Sequence, residues 1–90
     1  AVLGTHTHVQ TADETILAGG TAYITDVGMT GPVNSVIGID REQIVSRFLT
    51  QMPRKFEVAS GKALFCAVVI EIDPATGKSS AIQRLQISHP

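Results

Sequence analysis

Ninety residues with 43% apolar side chains can bury one modest core, so the chain is one domain or a piece of one. Seven Lys and Arg against eight Asp and Glu leave a net charge of −1 with no basic run, which excludes the electrostatic footprint of a protein that grips a nucleic-acid polymer by its phosphates. A single cysteine excludes an intramolecular disulfide scaffold and suits a reducing, cytoplasmic setting.

The chain opens on Ala1-Val2-Leu3 with no initiator Met, which reads as the end of a core strand and raises the expectation that this is the carboxy-terminal portion of a longer protein. That strand empties into Gly4-Thr5-His6-Thr7-His8. Extended backbone sends residues i and i+2 to the same side, so His6 and His8 can project together toward one metal site. Spacing alone is a weak signal, and two partly exposed loop histidines are the commoner outcome of such a pair. Two imidazoles also cannot complete a site: zinc needs one or two further protein ligands, and a two-metal centre needs several, mostly carboxylates. Asp13 and Asp26 are the nearest candidates, yet Asp13 reads more readily as a turn or cap residue and Asp26 as the polar end of a strand.

Thr15-Ile16-Leu17 and Thr21-Ala22-Tyr23-Ile24 flank Gly19-Gly20, whose freedom to take positive φ predicts a β-hairpin. Gly28-Met29-Thr30-Gly31-Pro32 is rich in breakers and predicts a loop that runs on through Asn34-Ser35. Asp40 then fits a helix N-cap with Gln43 completing a capping box, and Ile44, Val45, Phe48, Leu49 and Met52 recur on one face of a helix near 40–52 that Pro53 ends. The last third is β-rich. Phe56 and Val58 alternate, 63–72 is a long strand, 81–88 is its partner, and Asp73 to Lys78 carries the turn chemistry between them. Ile82 is out of phase with Leu85 and Ile87, which predicts a bulge in that strand.

Cys66 lies within the apolar run and reads as a buried structural thiol, since nothing nearby favours the thiolate. The four aromatic residues, Tyr23, Phe48, Phe56 and Phe65, are too scattered for a base-stacking platform. The longest apolar run stops at Glu71, short of the roughly 20 residues a membrane helix needs.

The whole string from Gly4 to Glu14, followed by Gly19 to Pro32 with Tyr23-Ile24-Thr25-Asp26-Val27-Gly28 at its centre, closely resembles the bacterial calcineurin-like metallophosphoesterases of the YmdB type. The resemblance continues, more loosely, through residues 40–56 and the last strands. It implies an α/β fold in which this chain is an α+β piece of a four-layer sandwich, with residues 1–90 the carboxy-terminal part of a single metallophosphoesterase domain. In that family the Gly-x-His-x-His element is the last metal-binding motif of a dinuclear centre, so the resemblance makes His6 a ligand of one metal and His8 a ligand of the other. The family's earlier motifs, which supply the carboxylate and amide ligands, a further His and the proton donor, are not recognisable in these residues.

The complete site implied is a pair of divalent cations about 3.5–4 Å apart that acidify a water and neutralise phosphate oxygens. Iron or manganese suits mixed imidazole, carboxylate and amide ligation. Asp26, Thr25 or Thr7 could orient the ring nitrogens. By resemblance the full enzyme hydrolyses phosphodiesters, with 2′,3′-cyclic nucleotides the substrate class. The chain by itself is expected to be inactive until the missing amino-terminal portion completes the site. No membrane or nucleic-acid polymer is expected as a partner, and a homo-oligomer is left open. The alternative, from a different class, is a free-standing, non-catalytic β-rich binding or assembly module. An unpaired strand edge at residues 1–3 speaks for the piece, and cooperative folding as a monomer would speak for the module.

Overall fold

A computed structural model describes residues 1–33, 35–36, 39–50 and 61–90. The fold is α+β and mostly sheet, with one helix among the described residues. The first sheet is built from β1 (Val2–Leu3), β2 (Thr15–Leu17) and β3 (Thr21–Ile24) in the order β1-β3-β2. β2 and β3 form the expected hairpin, with Thr15 opposite Tyr23 and Leu17 opposite Thr21. Its turn spans residues 18–20, with Gly19 at φ 97° and Gly20 at φ 91°, a region open to glycine at no steric cost. β1 lies parallel to β3 at the sheet edge, and Val2 and Leu3 are exposed rather than in the core.

The second sheet holds β4 (Gly31–Pro32), β7 (Ala63–Ile72) and β8 (Ser79–His89) in the order β4-β7-β8. Here the sequence reading needs correcting twice. Gly31 and Pro32 do not stay in the loop but pair with Leu64 and Ala63, and the Val33 amide extends the pairing by donating to the Lys62 carbonyl at 2.8 Å. The bulge falls elsewhere than expected: pairing runs without a break from Ala63↔His89 to Glu71↔Ala81 and shifts only between Glu71 and Ile72, which meets Ser79. Ile82 is out of phase with Leu85 and Ile87 because it faces the other side of an unbroken strand. The turn between β7 and β8 closes with Gly77 at φ 72° and its amide on the Asp73 carbonyl at 2.7 Å.

Two short strands absent from the sequence reading, β5 (Ser35–Val36) and β6 (Ile39–Asp40), pair antiparallel and lead into α1 (Arg41–Thr50). The helix starts directly after Asp40, where the N-cap was expected. It packs on β5 and β6. Its apolar stripe does not enter a core among the described residues: Phe48 is 80% and Leu49 81% exposed. Met52, Pro53, Phe56 and Val58 lie outside the described residues.

β8 packs across β2 and β3, and the two sheets are tied where the Ser79 amide donates to the Gly20 carbonyl at 2.7 Å. Between them lie the buried apolar side chains Ala22, Ile24 and Cys66. Burying a side chain of Ile24's size contributes about 2 kcal/mol. The other face of the long hairpin carries Phe65 opposite Ile87 and, along the same strand, Val69, all about half exposed. No helix among the described residues is long and apolar enough to cross a membrane.

Candidate metal centre

His6 and His8 stand on the loop that follows β1, and its conformation begins with Gly4. The Gly4 amide donates to the Ile24 carbonyl at 3.1 Å and its carbonyl accepts from the Val27 amide at 2.9 Å, so β1 continues alongside the chain leaving β3. A β-carbon at Gly4 would run into the Thr25 carbonyl, which is why the chain can leave the strand so close to its neighbour only at glycine.

Asp26 organises what comes next. Its side chain is 1% exposed, the largest polar group buried to that degree among the described residues. One carboxylate oxygen, Oδ2, accepts from the His6 amide at 3.1 Å, the Thr7 amide at 2.6 Å and the Thr7 hydroxyl at 2.6 Å. The other, Oδ1, accepts from the Gly28 amide at 2.9 Å. These donors, the Thr7 hydroxyl first and the Gly28 amide next, hold the carboxyl far below the usual carboxylate range, so it is ionised. Asp26 therefore stands just past the end of β3, but buried, with both oxygens engaged by the Thr7 hydroxyl and by the His6, Thr7 and Gly28 amides.

The rings of His6 and His8 are exposed, and no described residue hydrogen-bonds either one. Asp26 and Thr7 were expected to orient the rings; they hold the backbone that carries them instead. Thr25 faces away from the loop: its amide and hydroxyl donate to Asp13, which also accepts from the Thr11 hydroxyl at 2.6 Å. The Thr11 hydroxyl, followed by that of Thr25, lowers the Asp13 carboxyl from its ordinary 3.8 to about 2. Asp13 thus ties Thr11 to Thr25, a structural role in keeping with the turn or cap residue that its position suggested.

His8 takes φ 68°, the one non-glycine residue with positive φ among those described. The left-handed region costs a residue with a β-carbon about 1–2 kcal/mol, and such residues persist where surrounding structure imposes them. Here the His8 carbonyl accepts from the Met29 amide at 3.2 Å, and the next amide, that of Val9, donates to the Thr7 hydroxyl at 3.3 Å. Just beyond, Gln10 is buried, its Nε2 donating to the Ala67 and Leu85 carbonyls at 3.1 and 3.2 Å, which anchors the loop to the second sheet. A cleft of about 220 Å³ opens beside His8, bordered by Met29, Pro32, Cys66 and Gln86.

As a donor set, the two imidazoles fit part of a metal centre: two uncommitted nitrogen ligands on one pinned loop. Among the described residues no three His, Cys, Asp or Glu side chains converge. Sequence reasoning did not single out Gln10, and nothing around it in the chain signals its burial. Asp26 does carry a signal, the period of two linking Ala22, Ile24 and Asp26, all three buried, although the strand itself ends at Ile24.

A short strand thus opens into a pinned loop that bears two exposed imidazoles, set on an α+β scaffold. The chain belongs to the family described as YmdB-like protein, whose family model matches residues 1–85. It is 58% identical over 88 residues to a 2′,3′-cyclic-nucleotide 2′-phosphodiesterase of Bacillus subtilis, a match that covers 98% of this chain and 33% of that protein. A putative phosphatase/phosphodiesterase of Mycoplasma pneumoniae is 42% identical over 87 residues, covering 96% of this chain and 31% of its own length. Among solved structures, a hypothetical protein from Thermus thermophilus superposes with a TM-score of 0.87 at 46% identity, over 98% of this chain and 34% of that one. A phosphatase from Mycoplasma pneumoniae superposes with a TM-score of 0.88 at 42% identity, over 96% of this chain and 31% of its own. The chain thus spans about a third of the length of the relatives it matches. Relatives named for phosphoester hydrolysis do not favour the free-standing, non-catalytic module.

Proposed function

We propose that this chain supplies the last metal-binding motif of a dinuclear phosphodiesterase, with His6 a ligand of one divalent cation and His8 a ligand of the other. The observation that carries the reading is the loop itself. Both imidazoles are exposed and uncommitted, while the two nearby carboxylates, Asp13 and Asp26, are spent on fixing the backbone around them. When bound, the cations would supply charge neutralisation at the phosphate and an acidified water for in-line attack. This chain's own part is to present two imidazole nitrogens from one pinned loop.

The remaining ligands and the proton donor come, on this reading, from an amino-terminal portion of the protein, and the chain is its carboxy-terminal third. Support comes from the share of each relative that is matched, and from the apolar faces at Phe48 and Leu49 and at Phe65, Val69 and Ile87, which a larger protein would cover. The substrate class is a 2′,3′-cyclic nucleotide or related phosphodiester, as the name of the Bacillus subtilis relative suggests, with the nucleoside toward the cleft beside His8. Iron or manganese fits the ligand chemistry, and the setting is cytoplasmic.

The test is a Mn²⁺ titration of the isolated chain and of a chain extended at its amino terminus, each repeated with His6→Ala and His8→Ala. Tight binding and cyclic-nucleotide hydrolysis in the extended chain, lost in both variants, is the expected result. Binding that survives both substitutions would remove His6 and His8 from the centre.

A further inference from the structure

The two imidazoles are not held in the same way. His6 is fixed directly, because its own amide donates to Asp26 Oδ2 at 3.1 Å. His8 has no bond to Asp26; between them stands the Thr7 hydroxyl. That hydroxyl has one proton, and the Asp26 oxygen at 2.6 Å is much closer than the Val9 carbonyl at 3.2 Å, so the proton goes to Asp26. Its lone pairs then face the Val9 amide, which approaches at 3.3 Å. The hydroxyl therefore bridges the buried Asp26 side chain on one side of His8 and the peptide on the other, and His8 is the residue held at φ 68°.

Resting on the reading above, in which each imidazole serves a different cation, we propose that Thr7 is a positioning residue for the cation bound by His8 and not for the one bound by His6. Its hydroxyl relays the grip of Asp26 across His8 to Val9 and keeps His8 in the left-handed backbone that aims its ring. Without the hydroxyl, Asp26 retains the His6, Thr7 and Gly28 amides, so the His6 end of the loop keeps its anchor. The Val9 amide loses its acceptor, and with it goes the tie that closes the loop over His8 from that side.

The experiment is a calorimetric Mn²⁺ titration of the full-length protein with Thr7→Val and Thr7→Ser, each also made in the His6→Ala and His8→Ala backgrounds. Thr7→Val should weaken one of the two Mn²⁺ sites by about 10–100-fold, the size of effect known for residues that orient metal ligands, and leave the other near the parent. Thr7→Ser, which keeps the hydroxyl, should restore both. The loss should appear in the His6→Ala background and vanish in the His8→Ala background, as expected when both changes strike one site. Equal weakening of both sites would overturn the proposal in favour of a merely structural threonine, and two unchanged sites would overturn it while leaving the two-cation reading intact. If His6→Ala and His8→Ala themselves leave Mn²⁺ binding unaltered, the two-cation reading falls and the proposal with it.

Discussion

Gly28 offers the sharpest test of how the loop is built. It sits at φ 87°, its amide holds Asp26 Oδ1, and an added β-carbon would lie 2.8 Å from the Gln10 nitrogen and 2.9 Å from the Gln10 β-carbon. Two costs therefore combine in Gly28→Ala. The left-handed backbone costs alanine about 1–2 kcal/mol, and overpacking against a neighbour that cannot retreat adds about 1–3 kcal/mol. Gln10 cannot retreat, because it is buried and tied to two carbonyls of the second sheet. The expected loss is roughly 2–5 kcal/mol of unfolding free energy, read by urea denaturation. Gly19→Ala is the matched comparison. Gly19 has φ 97° with nothing within 4 Å of an added methyl, so only the first cost applies and the loss should stay near ~1–2 kcal/mol. Equal losses at the two positions would refute the argument that Gly28 is required by the close approach of Gln10.

Two further outcomes follow from the same geometry. The Asp13 carboxyl is depressed in the folded protein, so its ionised form stabilises the fold above its ordinary 3.8 and that contribution is lost as pH falls toward about 2. Asp13→Asn should therefore flatten the fall in stability across that interval, measured by thermal melts at stepped pH, and an unchanged slope would deny the carboxylate its role. Cys66 is buried, with the Thr30 hydroxyl accepting from its amide at 3.1 Å and donating to its carbonyl at 3.2 Å. An aromatic disulfide reagent should react with it slowly until the protein unfolds, and rapid labelling of the native protein would show that the thiol is reachable through the cleft it borders.

Much of the scaffold was legible because its signals are local. The Gly19-Gly20 turn, the start of the helix after Asp40 and the limits of β7 each follow from residues next to one another in the chain. The pairing of Gly31 and Pro32 with β7 was not legible, since a proline in a breaker-rich stretch gives no hint of a partner strand so distant in the chain. The phase of Ile82 misled because a single strand offers its two faces to two different surroundings, and alternation read along one chain does not say which face is buried. At the site, the histidines announced themselves by spacing, whereas the role of Asp26 lay in bonds to the Thr7 hydroxyl and to three backbone amides. Any sequence has such amides, and Thr7 lies nineteen residues away, so residue identities around Asp26 carry little trace of the contact. Only the inward phase shared with Ala22 and Ile24 pointed to it.

The dependence of the loop on Asp26 bears on protein design. A strand-end His-x-His pair invites grafting onto other scaffolds as a short cassette, yet here the cassette carries neither its anchor nor its stop. The anchor arrives from a hairpin strand that has turned back beside the loop, and the stop is the glycine that follows that anchor, Gly28. A transplant that copies residues 4–8 without a parallel neighbour bearing an inward aspartate would inherit the ligands and lose the geometry. The transferable unit is the pair of adjacent strands with both of their exits.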